Sequence, residues 1–305
     1  KNCDSFCPVL DNYVDIGVCS RLARQLASEY GATVRLWVDD LPSCRMLVPE
    51  ASAGLACQHL HGVELRAWPD AWRPVEPGDV VVESFACELP APFVAAMATR
   101  SRPPAWINLE YLSAEAWIEG THGLPSPHPT LPLRKHFFFP GFTRATGGLP
   151  RERGLLDTRR QSDAARVGGA ALTVFLFAYG HPAMPVLLDA WAGGSLPLRL
   201  RLPPGKTREQ VAEWLGGSLP DGANVTLGAL RVEALPFVAQ EDFDALLWDA
   251  DLLFVRGEDS AVRAMWAGRP FVWQFYPQAD DARRAKMEAF LERHGQDLSP
   301  AARKA

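Results

Sequence analysis

Short apolar runs alternate with stretches of helical spacing along almost the whole chain. In the first half, residues 5–10 read as a strand and residues 17–30 as a helix, with Val18, Leu22, Leu26 and Tyr30 recurring at fourfold spacing. Gly31 then supplies a helix stop. Strands are expected at 33–38, 63–67, 80–83 and 105–109, helices at 41–48 and 92–99, and an extended segment at 136–139 closed by Pro140 and Gly141. In the second half the pattern predicts strands at 172–178, 196–202, 225–227, 232–235, 252–255 and 270–275. Helices fit 182–191, 208–215, 241–249, 260–267 and 281–294.

Strands alternating with helices imply parallel sheets with helices on both faces. Residues 145–170 interrupt the series with Gly147, Gly148, Pro150, five arginines and Gly168–Gly169. The expected organisation is therefore α/β with two Rossmann-like domains facing a central cleft. It divides into 1–150, a linker at 151–170, and 171–305. No internal repeat is visible.

The length of 305 residues agrees with two domains. Lys and Arg number 31 against 36 for Asp and Glu, a formal charge of −5, which argues against a broad nucleic-acid surface. Residues 167–188 lack any charged side chain, but two prolines and three glycines make them a strand, a turn and a helix rather than a membrane span. No secretory signal opens the chain, which begins at Lys1. Six cysteines without C-x-x-C spacing are expected as reduced, mostly buried thiols in a cytoplasmic protein.

Several motifs fall to ordinary readings. Pro204–Thr207 resembles the end of a phosphate loop, yet Leu200 stands where the first glycine is required. No G-x-G-x-x-G follows a strand, and no G-x-S-x-G occurs. Asp249 and Asp251 form a D-x-D, but a solvated helix end explains them more simply than a cation. The seven histidines are scattered and suit surface or structural roles.

Two places carry more. Asp11 and Asp15 stand between the first strand and the first helix, where ligands gather in open α/β sheets. They fit a base and its partner, or, for Asp15, a helix N-cap. The run Arg256-Gly257-Glu258-Asp259-Ser260 again follows a strand and opens a helix. Its glycine, amides and arginine suit an anion, while Asp259 and Ser260 equally suit capping.

These segments also carry a resemblance. Residues 11–26 (DNYVDIGVCSRLARQL), 35–41 (RLWVDDL), 107–115 (INLEYLSAE), 120–148 and above all 256–278 (RGEDSAVRAMWAGRPFVWQFYPQ) resemble the bacterial protein-arginine rhamnosyltransferases acting on translation elongation factor P. The resemblance implies a GT-B glycosyltransferase, inverting and metal-independent, with no cofactor beyond its donor substrate dTDP-β-L-rhamnose. It implies elongation factor P as protein acceptor, and neither nucleic acid nor membrane as partner. It further implies Asp15 as base, Asp11 as a second essential carboxylate and Glu258 as a third catalytic or donor-positioning group. Arg256, Gly257, Asp259 and Ser260 would take the diphosphate, Phe177, Tyr179, Phe237 and Gln240 the nucleoside and sugar, and Asn12, Tyr13 and Val14 the donor side of the first turn. Val14 stands where that family has glycine, so a left-handed residue and a crowded sugar pocket are expected there. Ser20 and Gly180 also depart from the family pattern, and family members continue with more helix beyond Leu298. A nucleotide-sugar transferase with another acceptor, or an inactive nucleotide-sugar-binding adaptor, are the remaining readings.

Overall fold

The structure, a computed structural model, describes residues 1–9, 13–69, 71–166, 169–275, 282–296 and 298–299. Contacts divide the chain into two units, Lys1–Glu152 with Ala279–Ala305, and Arg153–Gln278.

The first unit is built on an eight-stranded sheet. Its strands are β1 (Asn2–Cys7), β2 (Thr33–Val38), β3 (Cys57–Leu60), β4 (Val63–Ala67), β5 (Val80–Ser84), β6 (Ala105–Leu109), β7 (Pro125–Pro127) and β8 (Arg134–Phe138). They run in the order β3-β4-β2-β1-β5-β6-β8-β7, parallel throughout except for the edge hairpins β3–β4 and β7–β8. The chain therefore leaves β1 toward β2 and returns to the other side of β1 as β5. That reversal is a topological switch point, where strand C-terminal ends leave a crevice.

Alternation along β1 sends Cys3 and Cys7 to one apolar face and Phe6 to the other. Helix α1 (Tyr13–Tyr30), followed in this unit by α2 (Leu41–Leu47), α3 (Ala91–Thr99) and α4 (Trp117–Thr121), covers the first face with Ile16, Cys19 and Ala23. On the other face Asp4, fully buried, would be costly alone. Arg35 meets it with two bonds of 2.7 Å, and the Trp37 indole and the Gly78 amide donate at 2.9 and 2.7 Å. Gly78 is required there, because a Cβ would come within 2.6 Å of the Asn2 carbonyl oxygen.

The second unit holds six strands: β9 (Leu172–Leu176), β10 (Leu198–Leu202), β11 (Asn224–Leu227), β12 (Leu230–Ala234), β13 (Leu252–Arg256) and β14 (Phe271–Gln274). Their order is β11-β12-β10-β9-β13-β14, with only β11 antiparallel. The switch point here falls between β9 and β13. Of the helices α5 (Leu155–Ala165), α6 (Met184–Ala192), α7 (Lys206–Trp214), α8 (Phe243–Trp248) and α9 (Glu258–Ala267), the last two pack on each other and, with β13, close one apolar core.

Three expectations are corrected. Helix α1 begins at Tyr13, four residues early, so Asp15 lies inside its first turn. Val14 is consequently helical, with the negative φ any L-residue accepts, and does not need glycine's freedom. The expected linker contains helix α5 (Leu155–Ala165), tied to the second unit by Leu155 in its core and by Arg159 donating to the Trp266 carbonyl at 3.1 Å. Helix α10 (Ala282–Gly295), expected with the second domain, belongs to the first unit. There Phe290 is buried against Phe142 at 5.6 Å, and Arg293 pairs with Glu119 at 3.2 Å. Among the described residues, no helix is long and apolar enough to cross a membrane.

Candidate active site

In the first unit, the switch point between β1 and β5 collects Asp15, Phe85 and Tyr111. Asp15 is fully buried in the first turn of α1, where the helix dipole favours its negative charge. The Tyr111 hydroxyl donates to its Oδ1 at 3.1 Å. Tyr111, two residues past β6, stacks on Phe85 with ring centres 4.3 Å apart and planes at 18°. Phe85 and Ala86 follow β5 with φ of 58° and 54°, two consecutive non-glycine residues in the left-handed region. The carboxylate also marks its surroundings. A hydrogen bond with Cys19, burial, and the charges of Asp15 and Asp39 push the Cys7 thiol well above its usual range. Asp11 and Asn12 lie outside the described residues, as do the side chains of Tyr13 and Val14.

In the second unit, Phe177 and Tyr179 follow β9, and Arg256 ends β13. The Arg256 guanidinium lies 4.8 Å from the Phe177 ring centre and 4.7 Å from that of Tyr179, a cation shared by two aromatic rings. Phe177 is set edge-on against Phe243 at 5.7 Å. The Tyr179 amide donates to Gln274 Oε1 at 2.6 Å, at the end of β14. Gly257, at φ 69°, makes the turn from β13 into α9.

The N-cap position of α9 falls to Gly257, so Asp259 and Ser260 lie inside the first turn rather than at the cap position expected of them. Ser260 instead donates back to the Arg256 carbonyl, and Asp259 faces the buried Gln240 amide at 3.5 Å. Glu258 begins the helix half-buried. This is a helix N-terminus behind a positively charged, ring-braced arginine, which suits a diphosphate. Phe237, on the loop after β12, is 39 % exposed.

The remaining motifs resolve into structural work. Asp249 accepts from Arg201 at 2.7 Å, while Asp251 accepts from Arg166 and the Thr173 amide at 2.7 and 2.8 Å. In the phosphate-loop look-alike, the Thr207 hydroxyl donates to the Ala178 carbonyl and so anchors the segment carrying Tyr179. His122, His128 and His181 each accept a backbone amide through Nδ1, at 3.0, 3.1 and 3.1 Å. Among the described residues, no group of three or more His, Cys, Asp or Glu is placed to hold a metal ion.

Sequence reasoning missed Tyr111, Phe85 and Gln274. The available signal was position: all three sit at or just past the C-terminal end of a parallel strand.

Known proteins share this sequence and fold. A protein-arginine rhamnosyltransferase from Pseudomonas putida strain KT2440 is 52% identical over 97% of this chain and 82% of its own length. One of the same name from Pseudomonas aeruginosa strain PAO1 is 48% identical over 95% of the chain and 80% of its own length. A solved structure described as the structural basis for EarP-mediated arginine glycosylation of translation elongation factor EF-P is 35% identical, with a TM-score of 0.64 over 99% of this chain and 80% of that one. Acinetobacter baumannii MurG, at 13% identity and TM-score 0.53, covers 99% of this chain and 88% of its own, a likeness of fold alone. The fold is that of the GT-B glycosyltransferases. With residues 3–305 matching the family described as elongation-factor P (EF-P) rhamnosyltransferase EarP, the chain belongs to that family of glycosyltransferases.

Proposed function

We propose that this chain transfers L-rhamnose from dTDP-β-L-rhamnose to an arginine side chain of translation elongation factor P, with inversion at the anomeric carbon and in the cytoplasm. The observation that carries the reading is the buried Asp15 carboxylate at the β1–β5 switch point of a chain in this family. The donor belongs to the second unit. Arg256, Gly257, Asp259, Ser260 and the first amides of α9 hold the diphosphate; Phe177, Tyr179, Phe237 and Gln240 hold the nucleoside and sugar. The acceptor arginine belongs to the first unit with Asp15 and Asp11, and Asn12, Tyr13 and Val14 border the donor sugar. Glu258 orients the donor. Neither metal nor cofactor enters the reading.

The acceptor sets the chemical problem. A guanidinium titrates about nine units above an ordinary carboxylate, so full deprotonation before attack would cost about 12 kcal/mol. Proton removal is therefore concerted with substitution. One guanidinium nitrogen bonds to the anomeric carbon as the carbon–oxygen bond to the diphosphate breaks. The diphosphate departs with the bonding pair, neutralised by Arg256 and the helix N-terminus, and the proton passes to Asp15.

The test incubates the chain with dTDP-rhamnose and elongation factor P and seeks, by mass spectrometry, an arginine heavier by one deoxyhexosyl unit. Asp15→Asn should lose this product while still binding dTDP. An unmodified factor, or an Asp15→Asn variant with near-normal turnover, would overturn the reading.

A further inference from the structure

We infer that Tyr111 is a positioning residue for the reaction, holding the Asp15 carboxylate in the orientation from which it accepts the proton. The inference rests on the reading of Asp15 as base. Its observation is the hydrogen bond from the Tyr111 hydroxyl to Asp15 Oδ1, at 3.1 Å. A phenol keeps its proton to about pH 10, so across the working range of a carboxylate base it donates and does not compete for the transferred proton. One fixed oxygen sets the plane of the carboxylate. A base works only when its lone pair meets the N–H within hydrogen-bond reach, and a displacement of about 1 Å can cost on the order of 100-fold in rate.

The surroundings of Tyr111 are built to keep it there. Phe85 stacks on its ring at 4.3 Å, and Lys286 of α10 brings its ammonium 5.7 Å from the ring centre. Phe85 reaches that position through left-handed backbone at both Phe85 and Ala86, while its amide donates to the Leu109 carbonyl at 2.7 Å. A β-carbon makes such backbone unfavourable, and it persists only where the surrounding contacts over-determine it. The turn after β5 thus aims a buried ring at the residue that touches the base. Three elements distant in the chain converge on one tyrosine, Phe85 and Lys286 at its ring and Asp15 at its hydroxyl.

The test is Tyr111→Phe, which keeps the ring against Phe85 and removes only the donor. The expected result is a fall in kcat of about 10-fold or more, with KM for dTDP-rhamnose and for elongation factor P within about twofold and the melting temperature unchanged. A merely structural tyrosine would move stability or KM instead. In an Asp15→Asn background, read on its residual turnover over long incubations, the same substitution should cost nothing further, because the group it positions is gone. A Tyr111→Phe enzyme with kcat within twofold of the parent, or an equal loss in both backgrounds, would overturn the inference. The two levels separate cleanly. Collapse of Asp15→Asn beside an unimpaired Tyr111→Phe rejects Tyr111 alone, whereas a fully active Asp15→Asn rejects the base on which it rests.

Discussion

Arg263 of α9 and Asp244 of α8 form an ion pair at the heart of the second unit, the guanidinium only 1 % exposed. Nε donates to Oδ1 at 2.7 Å, and a second nitrogen meets Oδ2. The pair ties α9, whose N-terminus faces the proposed diphosphate, to α8, whose Phe243 braces Phe177. Removing one partner strands a buried charge, so Arg263→Met should cost about 3–5 kcal/mol. Replacing both, as Arg263→Met with Asp244→Leu, should recover most of that loss. Urea unfolding of the single and double variants measures it. A double variant as unstable as the single would show that the pair's value lies elsewhere.

Arg256 is expected to resist conservative replacement. Its planar cation lies near two rings, and an ammonium on a flexible stem reproduces neither the stacking nor a bidentate phosphate contact. Arg256→Ala should weaken dTDP binding by about 10- to 100-fold, the worth of a lost charge-assisted bond. Arg256→Lys should regain little. Calorimetric titration with dTDP decides, and a lysine variant that binds as the parent does would remove the argument from stacking.

Asp251 should make the second unit acid-sensitive. Burial by itself would raise its carboxyl, but the Thr173 amide and the Arg166 guanidinium outweigh that and hold it below the ordinary 3.8. A group depressed in the folded state contributes stability above its unfolded value and loses it as pH falls through the folded one. Asp251→Asn should therefore melt lower than the parent at pH 6–7, and the gap should close as pH drops below 3.8. A gap that persists undiminished at pH 3 would rule this out.

Thiol chemistry should single out Cys57. It is the exposed cysteine, whereas Cys3, Cys7, Cys19 and Cys44 are buried. Burial and the Asp4 charge push Cys3 up to about 12, burial and Asp40 push Cys44 to about 11, and burial and Glu83 push Cys87 to about 12. Only thiolates alkylate readily. Iodoacetamide under native conditions should modify Cys57 first and leave the buried four until the chain unfolds. Early labelling of Cys7 would mean that the crevice beside Asp15 opens far more than its burial implies.

Strands buried in parallel sheets were the most readable elements. The runs at 33–38, 63–67 and 105–109 coincide with β2, β4 and β6 because an apolar residue recurs at every second position of each: Val34, Leu36 and Val38; Val63, Leu65 and Ala67; Ala105, Ile107 and Leu109. Strand β7 escaped notice because two of its three residues are proline, which only an edge tolerates. Helix α5 looked like a linker because its arginines face ion partners such as Asp157 and Asp163 rather than forming an apolar stripe. Within the site, Asp15 and Arg256 stood out as charged residues just past strands. Tyr111 did not, since its hydroxyl meets Asp15 across 96 positions of sequence and nothing local encodes that meeting.

Helix α10 has a consequence for how the protein is made. The first unit draws Phe290 and Arg293 from beyond the whole of the second unit to cover Phe142 and pair with Glu119. A nascent chain emerging from the ribosome can assemble the eight-stranded sheet, but its outer seam stays unsealed until the intervening unit has been synthesised, a wait on the order of ten seconds. The unit begun first is thus completed only after the second has been made.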